Sequence, residues 1–120
     1  MIKILIADDD KGYREILREI FEDNGHTVIE AEDGEIAIAM YRKNADIDFV
    51  ITDYSMPKKD GLAVVREIRR TRPQARIWLV SNAMDDEIKS WAIEAGAEQS
   101  ISKMDTKSEL RQWGIIDLAK

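Results

Sequence analysis

From one end of this 120-residue chain to the other, apolar runs of strand length alternate with amphipathic helical segments, and few folds accept that pattern. The run IKILIA (2–7) is almost continuously apolar, as a strand covered on both faces requires. Asp9 or Asp10 can cap the next segment, where Tyr13, Ile16, Leu17, Ile20 and Phe21 recur at the spacing of one helix face. Gly25 then offers a left-handed stop. TVIEA (27–31) reads as a second strand. Asp33-Gly34 opens a second helix through about residue 43, with Ile36, Ala37, Met40 and Tyr41 inward. DFVITD (48–53) is a third strand, followed by a loop and a helix over 62–72 that Pro73 stops. RIWLVS (76–81) is a fourth strand, and a helix over 84–95 ends at Gly96. EQSIS (98–102) is a weaker fifth strand, and 106–118 reads as the last helix.

Five strands alternating with five helices predict an α/β fold. Its sheet is mostly or wholly parallel, with right-handed crossovers and helices on both faces. No linker, repeat or low-complexity tract interrupts the pattern, so one domain over 1–120 is expected. No apolar run approaches the roughly 20 residues of a membrane span, and the N-terminus turns acidic too soon for a secretory signal. Membrane insertion is therefore not expected. The chain has no cysteine, which removes disulfides, thiolate catalysis and cysteine–zinc sites and suits a reducing cytoplasm. The single histidine, His26, excludes a multi-histidine metal site and reads as a solvated turn residue. A net charge of −6 opposes direct nucleic-acid binding. The basic stretch REIRRTR (66–72) reads as the solvent face of a helix.

In open α/β sheets the working groups lie beyond the carboxyl ends of the strands. Strand 1 runs into Asp8-Asp9-Asp10, strand 3 ends on Asp53, strand 4 on Ser81, and strand 5 is followed by Lys103. With strands 1 and 3 adjacent, Asp8, Asp9 and Asp53 would meet. Carboxylates that close repel one another unless a cation intervenes. An oxygen-only cluster favours a hard divalent ion, Mg2+ in particular. Lys103 adds a compact positive charge and Ser81 a hydroxyl, so Asp53 becomes a nucleophile for phosphoryl transfer. Asp10 alone reads as a helix cap, and each of the others alone is uninformative. Their joint placement carries the reading.

The segments ILIADDD, DFVITDYSMPKKDG, IWLVSNAMD and AGAEQSISK span almost the whole chain. Together they resemble the receiver domain of two-component response regulators, the chemotaxis regulators being its single-domain kind. The pattern D-x-x-M-P-x-x-D-G from Asp53 to Gly61 is the specific part. The resemblance implies a flavodoxin-like (βα)5 three-layer sandwich with a parallel five-stranded sheet of order 2-1-3-4-5. It implies that Asp53 accepts a phosphoryl group from a sensor histidine kinase or phosphotransfer protein. Asp9, Asp53 and the Ser55 backbone carbonyl would bind Mg2+ directly, and Asp8 through a metal-bound water. Lys103 would pair with Asp53 or its phosphate. Ser81 would hydrogen-bond the phosphoryl oxygen and report it to the face built from helix 4, strand 5 and helix 5, for an output partner or a homodimer. Such a domain catalyses only its own phosphorylation and dephosphorylation.

Three positions depart from that family. Met104 stands where proline usually follows the lysine, so a trans bond or a reshaped loop is expected. Ser100 replaces the aromatic switch residue, so no ring rotation can couple to Ser81. Asn82 replaces a small residue and could narrow entry to the phosphate. Trp91 in helix 4 and Trp113 in helix 5 are either interface anchors or buried, whereas Trp78 reads as core. Gly114 weakens the last helix. Two other functions compete: a degenerate receiver that binds partners without phosphorylation, and a small haloacid-dehalogenase-like phosphatase using Asp8-x-Asp10. Against the latter, Gly12 stands where that motif has Thr or Val. Seventeen residues follow Lys103, too few for an output domain, which fits a stand-alone regulator or a fragment of a longer one.

Overall fold

The computed structural model describes residues 1–117. Its first half runs β1 (Lys3–Ala7), α1 (Lys11–Asp23), β2 (Thr27–Ala31), α2 (Gly34–Lys43) and β3 (Phe49–Asp53). The second half runs α3 (Gly61–Thr71), β4 (Arg76–Ser81), α4 (Asp86–Ala95), β5 (Gln99–Ser102) and α5 (Thr106–Gln112), with a 3-10 turn over Lys103–Asp105. The strands form one parallel sheet in the order β2-β1-β3-β4-β5. This is the flavodoxin-like arrangement, and it makes β1 and β3 neighbours, with Ala7 opposite Thr52.

Alternation along the strands divides the core into two layers. Leu5, Val50, Ile77 and Leu79 point to one face and pack with Ala37, Tyr41, Leu62, Val65, Ile68, Ile88 and Ala92 of α2, α3 and α4. Ile4, Ile6, Phe49, Ile51, Trp78 and Val80 point to the other, against Leu17 and Phe21 of α1 and Leu110 of α5. Because both faces are covered, the central strands are apolar at nearly every position. Trp78 is fully buried, as expected, and its indole N–H donates to Glu98 Oε1 at 3.0 Å.

Each of the first four helices starts on an aspartate. Asp10, Asp33, Asp60 and Asp85 accept the backbone N–H of Tyr13, Ile36, Ala63 and Ile88, and a cap of this kind contributes about 1 kcal/mol. The basic stretch 66–72 is largely occupied within the molecule. Arg69 donates to the Gly96 and Pro73 carbonyls, Arg70 pairs with Glu67, and Arg72 lies 5.0 Å from the Tyr41 ring centroid.

Three expectations are corrected. Ile16 is exposed rather than inward. The buried stripe of α1 centres on Leu17 and Phe21, and at about 100° per residue Ile16 falls beyond its edge. The last helix stops at Gln112 because Gly114 turns left-handed at φ 73°, its N–H donating to the Arg111 carbonyl and that of Ile115 to Leu110. The expected end at 118 lies outside the described residues. Finally, His26 is no free turn residue. Its Nδ1 accepts the Ile2 N–H at 3.2 Å, and its Nε2 lies 2.7 Å from the Ile115 carbonyl, to which it donates. The imidazole thus ties the start of β1 to the segment after α5, where Ile115 and Ile116 are buried.

Candidate functional site

The carboxyl ends of β1 and β3 lie side by side, and the acids at those ends come together. Asp8 continues the edge of β1, its N–H donating to the Ala31 carbonyl at 3.0 Å, and is 1% exposed. Its Oδ1 accepts the Asp10 N–H at 2.9 Å. Asp53, the last residue of β3, is 6% exposed, whereas Asp9 is open to solvent. One carboxylate oxygen from each of Asp8, Asp9 and Asp53 lies within 4.8 Å of the others.

Lys103 reaches in from the end of β5. Its Nζ stands 2.7 Å from Asp8 Oδ2 and 3.5 Å from Asp53 Oδ2, with the side chain 8% exposed. No cis peptide occurs among the described residues, so the Lys103–Met104 bond is trans, and Met104 points to solvent. A 3-10 turn over Lys103–Asp105 follows β5, and the lysine reaches both acids. Ser81 ends β4 and is buried. Its Oγ accepts the Ala83 N–H at 3.2 Å, which leaves the hydroxyl proton free to donate elsewhere.

The loop after β3 shows why the D-x-x-M-P-x-x-D-G spacing needs its glycine. A Cβ on Gly61 would lie 2.1 Å from the Asp53 carbonyl oxygen, so only glycine lets α3 start against the strand end. Gly34 is tight in the same way, 2.0 Å from the Lys59 carbonyl, which seats the loop on α2. The Ser55 N–H hydrogen-bonds the Asp53 carboxylate.

Burial pushes the Asp53 carboxyl up to about 6, and the Asp8 charge adds to the rise. Lys103 and the Ser55 N–H pull the other way, and Asp9 pushes up again. At Lys103 burial favours the neutral amine, but the hydrogen bond and charge of Asp8, with those of Asp53, more than reverse it, so the ammonium is held above its ordinary value. Asp8 Oδ2 is buried, and among the described residues its close partner is the Lys103 ammonium at 2.7 Å. A buried carboxylate oxygen with acceptor capacity to spare, in an all-oxygen trio with one lysine against three acids, fits a hard divalent cation such as Mg2+.

Asp10 stands apart from this group. It is exposed, and its Oδ1 accepts the Tyr13 N–H at 3.3 Å as the cap of α1. The Asp8-x-Asp10 pair of a haloacid-dehalogenase-like site is therefore not assembled. Asn82 is exposed beside Ser81, and Ser100 sits half-buried on β5 opposite Leu79. Trp113 is 47% exposed and meets Trp78 edge-on, ring centroids 5.9 Å apart. Trp91 lies one turn before Glu94 and Ala95, which line a groove with Arg66, Arg69 and Arg70, so it belongs to the α3 side of α4.

Tyr13 is the site neighbour that sequence reasoning missed. The Lys103 ammonium lies 4.5 Å from its ring centroid, and its hydroxyl shares a 2.9 Å hydrogen bond with Thr106 Oγ1. Burial, opposed by the Thr106 bond and reinforced by Asp8 and Asp53, pushes the phenol up to about 12. Its place on the inward face of α1 signalled only core.

Comparison with known proteins bears on this geometry. The chain matches the response regulator receiver domain family over residues 4–113. It is 36% identical over 101 residues to the chemotaxis protein CheY of Halobacterium salinarum, covering 84% of this chain and 83% of that protein. It is likewise 36% identical to CheY of Bacillus subtilis, covering 84% of each. The transcriptional regulatory protein CpxR of Klebsiella pneumoniae is 32% identical over 110 residues, 92% of this chain but 46% of that protein. Among solved structures, the CheX-CheY-BeF3-Mg+2 complex from Borrelia burgdorferi superposes at TM-score 0.85 and 26% identity, over 94% of this chain and 89% of that one. With most of its length matched, the chain belongs to the response regulator receiver domain family, whose members are regulatory signalling domains of two-component and chemotaxis systems rather than turnover enzymes.

Proposed function

We propose that Asp53 is the phosphoacceptor of a Mg2+-dependent, cytoplasmic signalling switch, charged by a phosphohistidine on a sensor kinase or phosphotransfer protein. The observation that carries this reading is the convergence of Asp8, Asp9 and Asp53 with the Lys103 ammonium between two of them. Asp8, Asp9, Asp53 and the Ser55 carbonyl would hold the ion. An ion held there would supply charge neutralisation for the acids and for the phosphoryl oxygens of an incoming phosphate.

An Asp53 carboxylate oxygen attacks phosphorus, the new O–P bond forms, and the P–N bond to the donor imidazole breaks, its electron pair leaving on nitrogen. Asp53 must be ionised for this, which its value of about 6 permits at neutral pH. Lys103 moves its ammonium from the shared carboxylates onto the phosphoryl group, and the free Ser81 proton donates to a phosphoryl oxygen. Signal leaves through the face of α4, β5 and α5, toward an output partner or a second copy. With serine at position 100, that readout does not run through an aromatic on β5.

Incubation with Mg2+ and a small acyl phosphate tests the reading. The expected result is one hydroxylamine-labile phosphoryl adduct, absent in Asp53→Asn and present in Asp10→Asn. An adduct on Asp8 would favour phosphatase-like chemistry. No adduct and no Mg2+ affinity would leave a phosphorylation-independent binding module.

A further inference from the structure

We infer that Tyr13 is the positioning residue for Lys103 and that its hydrogen bond to Thr106 couples the lysine to the start of α5. This rests on the phosphoacceptor reading and goes beyond it. Two of the ammonium's sides face Asp8 and Asp53, at 2.7 and 3.5 Å, and the Tyr13 ring lies 4.5 Å away. A cation over an aromatic face is attracted by the ring quadrupole, more strongly where water is excluded. The ring itself is held at its far end, where the hydroxyl meets Thr106 Oγ1 at 2.9 Å, and Thr106 is 2% exposed at the first position of α5.

The residues next to Lys103 on its own strand and turn do not perform this task. Met104 is 87% exposed and packs no side chain against the lysine. Ser100 supplies no ring on β5. An aromatic on α1 therefore stands between the ammonium that pairs with Asp8 and Asp53 and the first turn of an output-face helix. When Asp53 gains a phosphoryl group, its added negative charge draws the ammonium away from Asp8. Tyr13 follows to keep its ring against the ammonium, and that movement alters the bond that seats Thr106. The coupling is thus a displacement of two packed side chains between two discrete arrangements.

Three variants test this, each read by acyl-phosphate phosphorylation rate and by the change in amide hydrogen exchange of residues 106–112 on adding beryllofluoride and Mg2+. Tyr13→Leu removes both contacts and is expected to slow phosphorylation about tenfold. Tyr13→Phe restores most of that rate but leaves α5 exchange unresponsive. Thr106→Val keeps the ring under the ammonium, phosphorylates within about twofold of wild type, and also loses the α5 response. A wild-type rate in Tyr13→Leu overturns the positioning role, and a wild-type α5 response in Thr106→Val overturns the coupling. Should Tyr13→Leu fail to fold, Tyr13→Phe and Thr106→Val decide by their α5 response alone. An unmodified wild-type chain would instead overturn the phosphoacceptor reading itself, which separates the two failures.

Discussion

Asp53 is ionised at neutral pH in surroundings that favour its proton. Its folded value of about 6 lies above the ordinary 3.8, chiefly through burial and the neighbouring Asp8. The folded chain therefore binds that proton more tightly than the unfolded chain does. The stability this confers is complete below about pH 3.8, is lost as pH rises through about 6, and above that the charge is a standing cost. Discounted because part of the shift is shared with the neighbouring charges of Asp8 and Lys103, the cost is about 1–2 kcal/mol. Asp53→Asn is accordingly expected to be more stable than wild type by that amount in urea unfolding at pH 7.5 without Mg2+, the difference vanishing by pH 4. Gly61→Ala works in the opposite direction. Its Cβ would overlap the Asp53 carbonyl at 2.1 Å, and a loss of about 2–4 kcal/mol in the same assay is expected. The acids of the site were legible because strand ends announce themselves by a switch from apolar to charged residues. Tyr13 was not, because an inward aromatic on a helix has the same spacing whether it packs on leucine or on an ammonium.

The start of α2 was readable for an equally local reason, since Asp33 acts through the backbone three residues on, whereas Asp85 was not singled out and the helix it caps begins at Asp86 rather than at 84. Asp33→Ala is expected to cost about 1 kcal/mol, read by thermal unfolding, because it strips the cap of α2 without touching the acidic trio. The end of α5 obeys a longer-range rule. Gly114 signalled weakness at that point, but the chain's return through Ile115 and Ile116 depends on His26 from the turn before β2. Helical periodicity has no access to a partner 89 positions away. His26→Ala should remove both of its hydrogen bonds, lower stability by about 1–3 kcal/mol, and raise amide exchange at Ile115 and Ile116 more than in α1. Unchanged exchange there would show that apolar packing and the bonds to Leu110 and Asn24 hold the segment without the imidazole. Ile16 marks the same boundary of inference from another side: one apolar residue too many for the width of the buried stripe.

Taken whole, the molecule gathers at one rim of its sheet the charges that the alternating pattern sends there. β1 and β3 are adjacent only because the order is β2-β1-β3-β4-β5, so the trio is a product of topology rather than of any one segment. Topology was accessible through the resemblance, whereas alternation alone left the strand order open. A cation that binds only the folded rim stabilises the whole fold, by about 1.4 kcal/mol at tenfold over its dissociation constant. Mg2+ should therefore raise the melting temperature of wild type and not of Asp9→Asn. The most direct measurement is borohydride trapping after acyl-phosphate treatment, in which hydride reduces an aspartyl phosphate to homoserine at its own position with release of phosphate, followed by peptide mass mapping. Homoserine at position 53, formed only when Mg2+ is present, is the predicted result. Homoserine at position 8 or 9, or labelling indifferent to the metal, would contradict it.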